Sequence, residues 1–335
     1  MRFKKILFLV IFLVGCQSQL DAEHDATSAL KELEGSSELI EIASPFPMNE
    51  RENEKCSRII FSYRVTGQST QSDIVSICPN GTGKFRLTSD DHGDFMPAWS
   101  PDGSKIAFLS NRAGQPGAFR NGTEQLYVMD DDGNNIYQIT FDLLQIEDIF
   151  WLPDGKRIVL KTISDPQNWV VKWIMADVTT KEITTIDWLP DANNVELSHD
   201  GTRILYTADS QIRVRNRDGT GDKALTDNSW INSSPVWSLD DRKIAFISYQ
   251  EGQPYTFNVI EEDGTHLMKL VFIIDPPLEG GLAEFDFDWA PDGRSFIIRA
   301  GGSLWSMNLV TGEQSTLFSF GEWPNEITHL DWQPE

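Results

Sequence analysis

The chain has 335 residues, with 51 Asp or Glu against 28 Lys or Arg, and its net charge at pH 7 is −23. No basic stripe interrupts this acidic balance, which excludes nucleic acid as an expected partner. The length is sufficient for a domain to bury a core without help.

The first 15 residues have the pattern of a secretory signal peptide. Positive charges at Arg2, Lys4 and Lys5 precede an apolar run, residues 6–14, that is too short to span a membrane. The run ends at Leu13-Val14-Gly15-Cys16, which resembles the lipobox of bacterial lipoproteins. Cleavage before Cys16 would leave a lipid-modified cysteine, and loss of the three signal cations would take the net charge to −26. The alternatives are a plain signal peptide or a chance cysteine.

Residues 16–51 are polar and acidic and contain Pro45 and Pro47. This composition predicts a flexible tether that holds the following domain away from a lipid surface. Gln17, directly after the lipobox, resembles the residues that favour sorting to the outer membrane in Gram-negative cells. We therefore expect a lipid-anchored protein of the cell envelope, on the outer membrane and facing the periplasm if the cell is Gram-negative.

A β-hairpin motif recurs through the rest of the chain. Its clearest copy is WSPDGSKIAF at residues 99–108. Pro101 supplies the φ value of a type I turn, Asp102 can hydrogen-bond its own backbone, and Gly103 can adopt a left-handed conformation. Trp99 leads into the turn, and an apolar strand leads out of it. The motif therefore predicts two antiparallel strands joined at this turn.

Four further complete copies begin at Trp151, Leu197, Trp237 and Trp289. A sixth copy is divided between the ends of the chain, with its front half at residues 331–335 and its back half at residues 55–62. Repeats of 40–52 residues built from short strands are typical of a β-propeller, and a divided motif is how such a ring closes. We predict that the last strand pairs with the first and leaves no open sheet edge.

Each repeat also carries a second motif, best seen as LYVMDDDGNNIYQIT at residues 126–140. It predicts a strand, a tight Asp-Gly turn and another strand. With the hairpin, this makes four strands per repeat, which we name A to D from the ring axis outward. The sequence therefore predicts an all-β fold over residues 52–335: a six-bladed β-propeller of four-stranded blades, closed by pairing of the N- and C-terminal segments.

These paired motifs resemble the TolB-type family of propellers, whose WD40-like units are described as PD40 repeats. Residues 110–114 (SNRAG) and 127–130 (YVMD) are typical of that family, and the resemblance covers residues 52–335. It implies contact with other envelope proteins, since TolB-type propellers are known chiefly as docking rings. Only residues 16–51 lie between the signal and the repeats, so we expect no counterpart of the α/β domain before the TolB propeller. The partner contacts of that domain are not carried over.

Two cysteines besides Cys16 flank strands of the first blade. Cys56 opens strand B and Cys78 ends strand C, and antiparallel strands bring those ends together. An oxidising compartment favours a Cys56–Cys78 disulfide. The alternative is a pair of buried thiols.

No residue pattern predicts a catalytic centre. The five histidines, His24, His92, His199, His266 and His329, lack metal-ligand spacing, and the sequence has no Gly-x-Ser-x-Gly elbow. Residues 130–135 (DDDGNN) do not continue as an EF-hand, because Asn135 and Phe141 stand where Gly and Glu are needed. We therefore predict no metal, no cofactor and no catalytic residue.

A candidate binding face is predicted on the side of the ring that carries the D–A connectors and the B–C loops. The Asp-Gly turns lie on the opposite side. Aromatic and arginine side chains dominate interface energetics. Those predicted on this face are Trp188, Trp230, Trp323, Arg112, Arg120 and Tyr255. The alternative is that each tryptophan packs under its own connector and that Arg112 braces its own blade.

The sequence thus favours a non-enzymatic lipoprotein that acts as a propeller scaffold for an envelope protein or peptide. The alternative is an enzyme or a glycan-binding surface protein that uses the central channel. The lining of the channel discriminates between the two. Convergent histidine, arginine and carboxylate side chains favour an enzyme, and a smooth or plugged channel favours a scaffold.

Overall fold

A computed structural model describes residues 56–65, 72–113, 124–143, 145–165, 167, 170–227, 229–250, 253, 256–270, 286–300, 303–319 and 325–334. The predicted signal peptide and tether lie outside these residues. In the described part of the chain, no helix has the length and apolar character needed to cross a membrane.

The described residues form six antiparallel sheets of four strands each, in the order A to D. The sheets are the blades of a propeller, and we number them from the one that contains both chain ends. Blade 1 consists of β24 (Asn325–Trp332), β1 (Ile59–Val65), β2 (Asp73–Ile77) and β3 (Phe85–Arg86). Blade 2 consists of β4 (Asp94–Trp99), β5 (Lys105–Ser110), β6 (Gln125–Asp130) and β7 (Tyr137–Gln138). Blade 3 consists of β8 (Ile146–Trp151), β9 (Arg157–Asp165), β10 (Val170–Asp177) and β11 (Ile183–Ile186).

The other three blades repeat the same order without a break in the chain. Blade 4 consists of β12 (Asn193–Leu197), β13 (Arg203–Ala208), β14 (Gln211–Asn216) and β15 (Lys223–Ala224). Blade 5 consists of β16 (Ile231–Trp237), β17 (Lys243–Tyr249), β18 (Thr256–Glu261) and β19 (Met268–Leu270). Blade 6 consists of β20 (Asp286–Trp289), β21 (Ser295–Ala300), β22 (Ser303–Asn308) and β23 (Gln314–Ser319). The predicted all-β, six-bladed fold is confirmed.

The repeated hairpin forms by the turn chemistry that its sequence predicts. In blade 2, the Gly103 N–H donates to the Ser100 carbonyl at 2.8 Å, and the Ser104 N–H donates to Oδ1 of Asp102 at 3.1 Å. Gly103 has a φ of 65°, and a Cβ at this position would lie 3.2 Å from the side chain of Gln333. Glycine is therefore needed here both for the left-handed backbone and for the close approach of the C-terminal segment.

Ring closure joins the two ends of the chain in blade 1. Strand β24 pairs antiparallel with β1, and Trp332 stands opposite Ile59. The indole N–H of Trp332 donates to Oγ of Ser57 at 3.0 Å. The backbone N–H of Gln333 donates to the Arg58 carbonyl at 2.8 Å. The divided sixth motif therefore makes one blade, as predicted.

Among the described residues, the hydrophobic core consists of six clusters, one at each junction between neighbouring blades. Strand β5 shows how one strand serves two of them. Ile106 and Phe108 pack toward blade 1, whereas Ala107 and Leu109 pack toward blade 3. Because both faces of each strand B are covered, its apolar residues run continuously rather than alternating with polar ones.

Candidate functional site

The innermost strands of the six blades surround a central channel of about 730 Å³. Strand A and the A–B turn of each blade contribute to its wall. One end is lined by the turn residues at equivalent positions, Pro101, Pro153, His199, Leu239, Pro291 and Pro334. The channel therefore passes directly beside the repeated hairpin motif.

Acidic side chains line the channel at two fixed offsets from the end of strand A. Glu196, Asp288 and Asp331 stand one residue before the position that is tryptophan in most repeats. Asp148 and Asp286 stand two residues further back. Because side chains alternate along a strand, both offsets put the side chain on the same face. The strand geometry therefore gathers five carboxyl groups in one channel.

Four of these carboxylates join consecutive blades. The backbone N–H of Trp237 donates to Oε2 of Glu196 at 3.0 Å. The backbone N–H of Trp332 donates to Oδ2 of Asp288 at 2.9 Å. Equivalent bonds run from the N–H groups of Trp99 and Leu330 to the carboxylates of Asp331 and Asp286. Each carboxylate thus satisfies a backbone donor that would otherwise be without a partner inside the ring.

A different bond joins two junctions where an apolar residue takes the acidic position. The indole N–H of Trp151 donates to the Ala98 carbonyl at 3.1 Å. The indole N–H of Trp289 donates to the Val236 carbonyl at 3.3 Å. Alanine and valine have no side-chain acceptor, so at these junctions the acceptor is their main-chain carbonyl and the donor is an indole N–H. The hydrogen bond between neighbouring innermost strands therefore differs from one blade junction to the next.

Burial raises the pKa of the channel carboxyl groups. It raises the pKa of Asp148 to about 6. It holds the pKa of Glu196 and of Asp331 well above the usual range, and the charge of neighbouring Asp288 adds to the shift at Asp331. The side chains still border the open space of the channel, so water screens part of this effect. The direction of each shift means that these groups hold protons that an exposed carboxyl group would release.

Two histidines also border the channel, and one of them has a clear structural partner. His199 takes a turn position that is proline in four other repeats. Its Nδ1 lies 2.9 Å from Oδ1 of Asp241, and its backbone N–H donates to the same oxygen at 2.9 Å. His329 lies on β24 with a φ of 49°. Over the residues that the structure describes, no group of three or more His, Cys, Asp or Glu is arranged to hold a metal.

Arg112, predicted on the binding face, has its guanidinium group engaged within its own blade. Its Nη2 donates to both carboxylate oxygens of Asp94, at 2.9 and 3.0 Å, and its Nε donates to Oγ of Ser110 at 2.9 Å. The same group lies 5.3 Å from the ring centroid of Phe108 and 5.1 Å from that of Tyr127. Asp94 is buried, so removal of Arg112 would leave an uncompensated charge. These contacts correspond to the bracing alternative.

Trp188 and Trp230, the other described members of the predicted face, are each paired with a cation of the following blade. The guanidinium of Arg217 lies 4.1 Å from the ring centroid of Trp188. Nζ of Lys269 lies 5.4 Å from the ring centroid of Trp230. A third such pair, formed by Phe141 and Lys181 at 5.8 Å, was not foreseen from the sequence. An aromatic residue in the D–A connector and a cation in the next blade thus form a recurring inter-blade contact.

Other predicted positions are placed as follows. Cys56 and Cys78 form a disulfide, with a Cα–Cα distance of 5.8 Å. Cys16, Arg120, Tyr255 and Trp323 lie outside the described residues. The channel carboxylates were missed by sequence reasoning, although their two fixed offsets from the repeat tryptophan would have shown their positions, if not their partners.

Comparison with known proteins points to one class of propeller. No family model matches the chain. The chain is 30% identical over 199 residues to a "Protein TolB homolog" of Chlorobium chlorochromatii (strain CaD3), covering 57% of this chain and 40% of that protein. It is 26% identical over 152 residues to the "Uncharacterized peptidase YuxL" of Bacillus subtilis (strain 168), covering 45% of this chain and 21% of that protein. The matched regions span less than half the length of these relatives.

The fold comparison agrees with the sequence comparison. The crystal structure of TolB from Acinetobacter baumannii superposes with a TM-score of 0.65 at 19% identity, covering 83% of this chain and 67% of that one. At this identity the superposition shows the fold alone. The described domain is therefore a six-bladed β-propeller of four-stranded blades. Among such propellers, it is TolB-like in fold and in sequence.

Proposed function

We propose that this chain is a non-enzymatic, protein-binding propeller of the cell envelope, anchored in a membrane by lipid on Cys16. Similarity to TolB homologues in sequence, and to TolB in fold, supports an interaction role. The observation that carries the proposal is the use of the channel carboxylates. Glu196, Asp288 and Asp331 each accept a backbone N–H of the next blade. Carboxylates committed to such bonds are framework groups rather than free acids or bases.

Replacement of the lipidation residue tests the anchor. Cys16→Ser is expected to release the protein from the membrane fraction and to abolish labelling with a radioactive fatty acid, because the thiol is the acceptor of the lipid. The measurement is fractionation of labelled cells followed by immunoprecipitation. Gln17→Ala is the matched control, since it changes the neighbouring residue and keeps the thiol. A Cys16→Ser protein that fractionates and labels like its parent would contradict the anchor.

We place the partner on the side of the ring with the D–A connectors and B–C loops. Ile231, next to Trp230, is 46% exposed, which leaves an apolar side chain open to a partner. Trp323, Arg120 and Tyr255 belong to the same predicted face. Trp230 lies further from its cation, at 5.4 Å against 4.1 Å for Trp188, and the guanidinium of Arg112 is bound to Asp94, so we assign a bracing role to Trp188 and Arg112 and keep Trp230 as a partner contact.

Alanine substitution at Trp230 and Trp323 tests that face. We expect each substitution to reduce crosslinking to an envelope partner by about tenfold, because buried tryptophans dominate interface energetics. The partner is captured by crosslinking in intact cells and identified by mass spectrometry. Asn80→Ala, on the Asp-Gly turn side, is the control, and thermal melting must first show that all variants fold. Loss of crosslinking in the control, with retention in both tryptophan variants, would place the partner on the other side.

A second candidate function is an enzyme that uses the channel. Two observations favour it: the similarity to a protein named as a peptidase, and the position of carboxylates beside two histidines in the channel wall. Turnover of peptides or oligosaccharides by the purified chain would support this candidate. If no turnover is seen, and the bonds from Glu196, Asp288 and Asp331 to the next blade persist when these substrates are added, the scaffold is favoured instead.

A further inference from the structure

Strand β14 of blade 4 carries arginine at alternate positions. Arg213 and Arg215 lie within the strand, and Arg217 directly follows its end. The intervening Val214 is buried in the cluster shared with blade 5. Because alternate side chains point to opposite faces of a sheet, the arginines lie on the side toward blade 3. We call Arg213, Arg215, Arg217 and Trp188, from the connector that leaves blade 3, the arginine face.

Trp188 fixes two of these guanidinium groups in place. Nη2 of Arg215 donates to the Trp188 carbonyl at 2.7 Å. The guanidinium of Arg217 stacks over the Trp188 ring at 4.1 Å, and that of Arg215 lies 6.0 Å from the ring of Tyr206. A carbonyl bond and cation–π contacts orient a guanidinium but leave its positive charge in place. The two groups are therefore positioned and still cationic.

Of the three arginines, Arg213 alone forms a close ion pair with a carboxylate, although the charge of the same Asp222 also acts on Arg215. Arg213 pairs with Asp222, with 3.1 Å between the charged atoms. Within the described ranges, no carboxylate lies within 4.0 Å of Arg215 or Arg217, and Nε of Arg215 is buried there without a hydrogen-bond partner. Carboxylate partners are present for Arg86, Arg112, Arg157 and Arg203. In a chain with 51 acidic and 28 basic residues, two adjacent arginines without a carboxylate partner stand out.

The contacts of these two arginines fit one kind of ligand. Arg217 lies in the turn after β14, and its guanidinium group and that of Arg215 both meet Trp188, so the two charges lie together. Guanidinium groups bind carboxylates through paired hydrogen bonds. We propose that the arginine face binds a protein segment that carries several Asp or Glu side chains close together. This inference rests on the proposed protein-binding role, and it names the chemistry of one partner.

A labelled peptide tests the inference directly. The probe is an extended octapeptide of alternating Glu and Thr with a fluorescent N-terminus, titrated with the detergent-solubilised full chain at about 50 mM salt, where screening is weak. Binding is followed by fluorescence anisotropy. Arg217→Gln is expected to raise the dissociation constant about tenfold, because a charge-assisted, bidentate contact is lost. Arg217→Lys should recover only part of the affinity, because lysine keeps the charge but not the planar fork.

The controls distinguish binding at the arginine face from nonspecific electrostatic attraction between the peptide and the protein. Arg294→Gln removes the same charge from the A–B turn of blade 6 and should leave the affinity unchanged. Free glutamate, at an equal concentration of carboxylate groups, should not displace the probe. Equal affinity of the Arg217→Gln and Arg294→Gln variants, displacement by free glutamate, or no binding to the parent chain would each overturn the inference. The titration needs only purified protein, whereas crosslinking in cells tests the proposed function, so failure of one is distinguishable from failure of the other.

Discussion

Deletion of residues 328–335 is expected to lower the melting temperature of the propeller by about 10 °C or more, or to abolish cooperative melting. The deletion removes Trp332, which is 8% exposed, together with its bonds to Ser57 and Asp288. Truncation of a buried tryptophan alone costs about 3–5 kcal/mol. Loss of residues 328–332, the larger part of strand β24, would also uncover most of the edge of β1 and open the ring between blades 6 and 1. Circular dichroism during heating measures the effect.

Two further variants make this result specific to ring closure. Trp332→Ala should reproduce a large part of the loss, because it removes the indole ring while the backbone pairing of β24 is retained. Val310→Ala, on a blade 6 turn where the side chain is 77% exposed, should melt like the parent. If the deletion variant melts like the parent, β24 does not close the ring.

The propeller could be predicted from sequence because its determinants are local. In the A–B turn of blade 2, the bonds that close the hairpin all lie between Ser100 and Lys105. The same turn motif recurs in five repeats and the divided motif supplies the sixth, so the number of blades follows from the number of motifs. The pairing of β24 with β1 could also be predicted, because each end of the chain holds a complementary half of one motif.

The role of the channel acids could not be predicted in this way, because each acts on a distant part of the chain. The carboxylate of Asp331 accepts the N–H of Trp99, which lies 232 residues away in sequence. Glu196 accepts the N–H of Trp237, 41 residues away. Before the ring is assembled, nothing in the repeat shows which backbone donor a given carboxylate will face.

Prediction of the candidate binding face from the sequence was limited for the same reason, because the contacts of its residues come from distant parts of the chain. The sequence placed Trp188 in a connector, but the guanidinium group over its ring belongs to Arg217 of the next blade. Trp230 and Lys269 follow the same pattern. A connector tryptophan therefore has two possible roles, contact with a partner or contact between blades, and only the position of the following blade decides between them.

The channel carboxyl groups should make the protein more stable at mildly acidic pH than at alkaline pH. Asp148 has a pKa of about 6 in the folded chain, against about 4 for a carboxyl group in an unfolded chain. The folded state therefore holds a proton that the unfolded state releases, and the free energy of unfolding falls as pH rises from about 4 to about 6. Above about pH 6 the free energy of unfolding stays at this lower value. Burial raises the pKa of Glu196, Asp286 and Asp331 as well, so their effects have the same sign.

Asp148→Asn tests this origin of the pH dependence. The amide keeps an oxygen that can accept the Ile149 N–H, as Oδ1 of Asp148 does at 2.9 Å, but it cannot ionise. We expect the variant to be more stable than the parent at pH 8 by about 1–2 kcal/mol, which allows for screening by water in the channel. At about pH 5 the difference should shrink, because the parent residue is then largely protonated. Urea unfolding at both pH values gives the two free energies.

A turn carboxylate provides the control with the opposite sign. Hydrogen bonds from Ser100 and Ser104 hold the pKa of Asp102 below its usual value. Its contribution to stability is present above the unfolded pKa and is lost as pH falls, so Asp102→Asn should destabilise the protein at pH 8 and have less effect below about pH 4. If Asp148→Asn raises stability at pH 8 and Asp102→Asn lowers it, the contribution of the channel carboxyl group to the pH dependence is distinguished from that of the surface turns. If Asp148→Asn lowers stability at pH 8 as Asp102→Asn does, the channel carboxyl group is ionised and stabilising, and the proposed source of the pH dependence is incorrect.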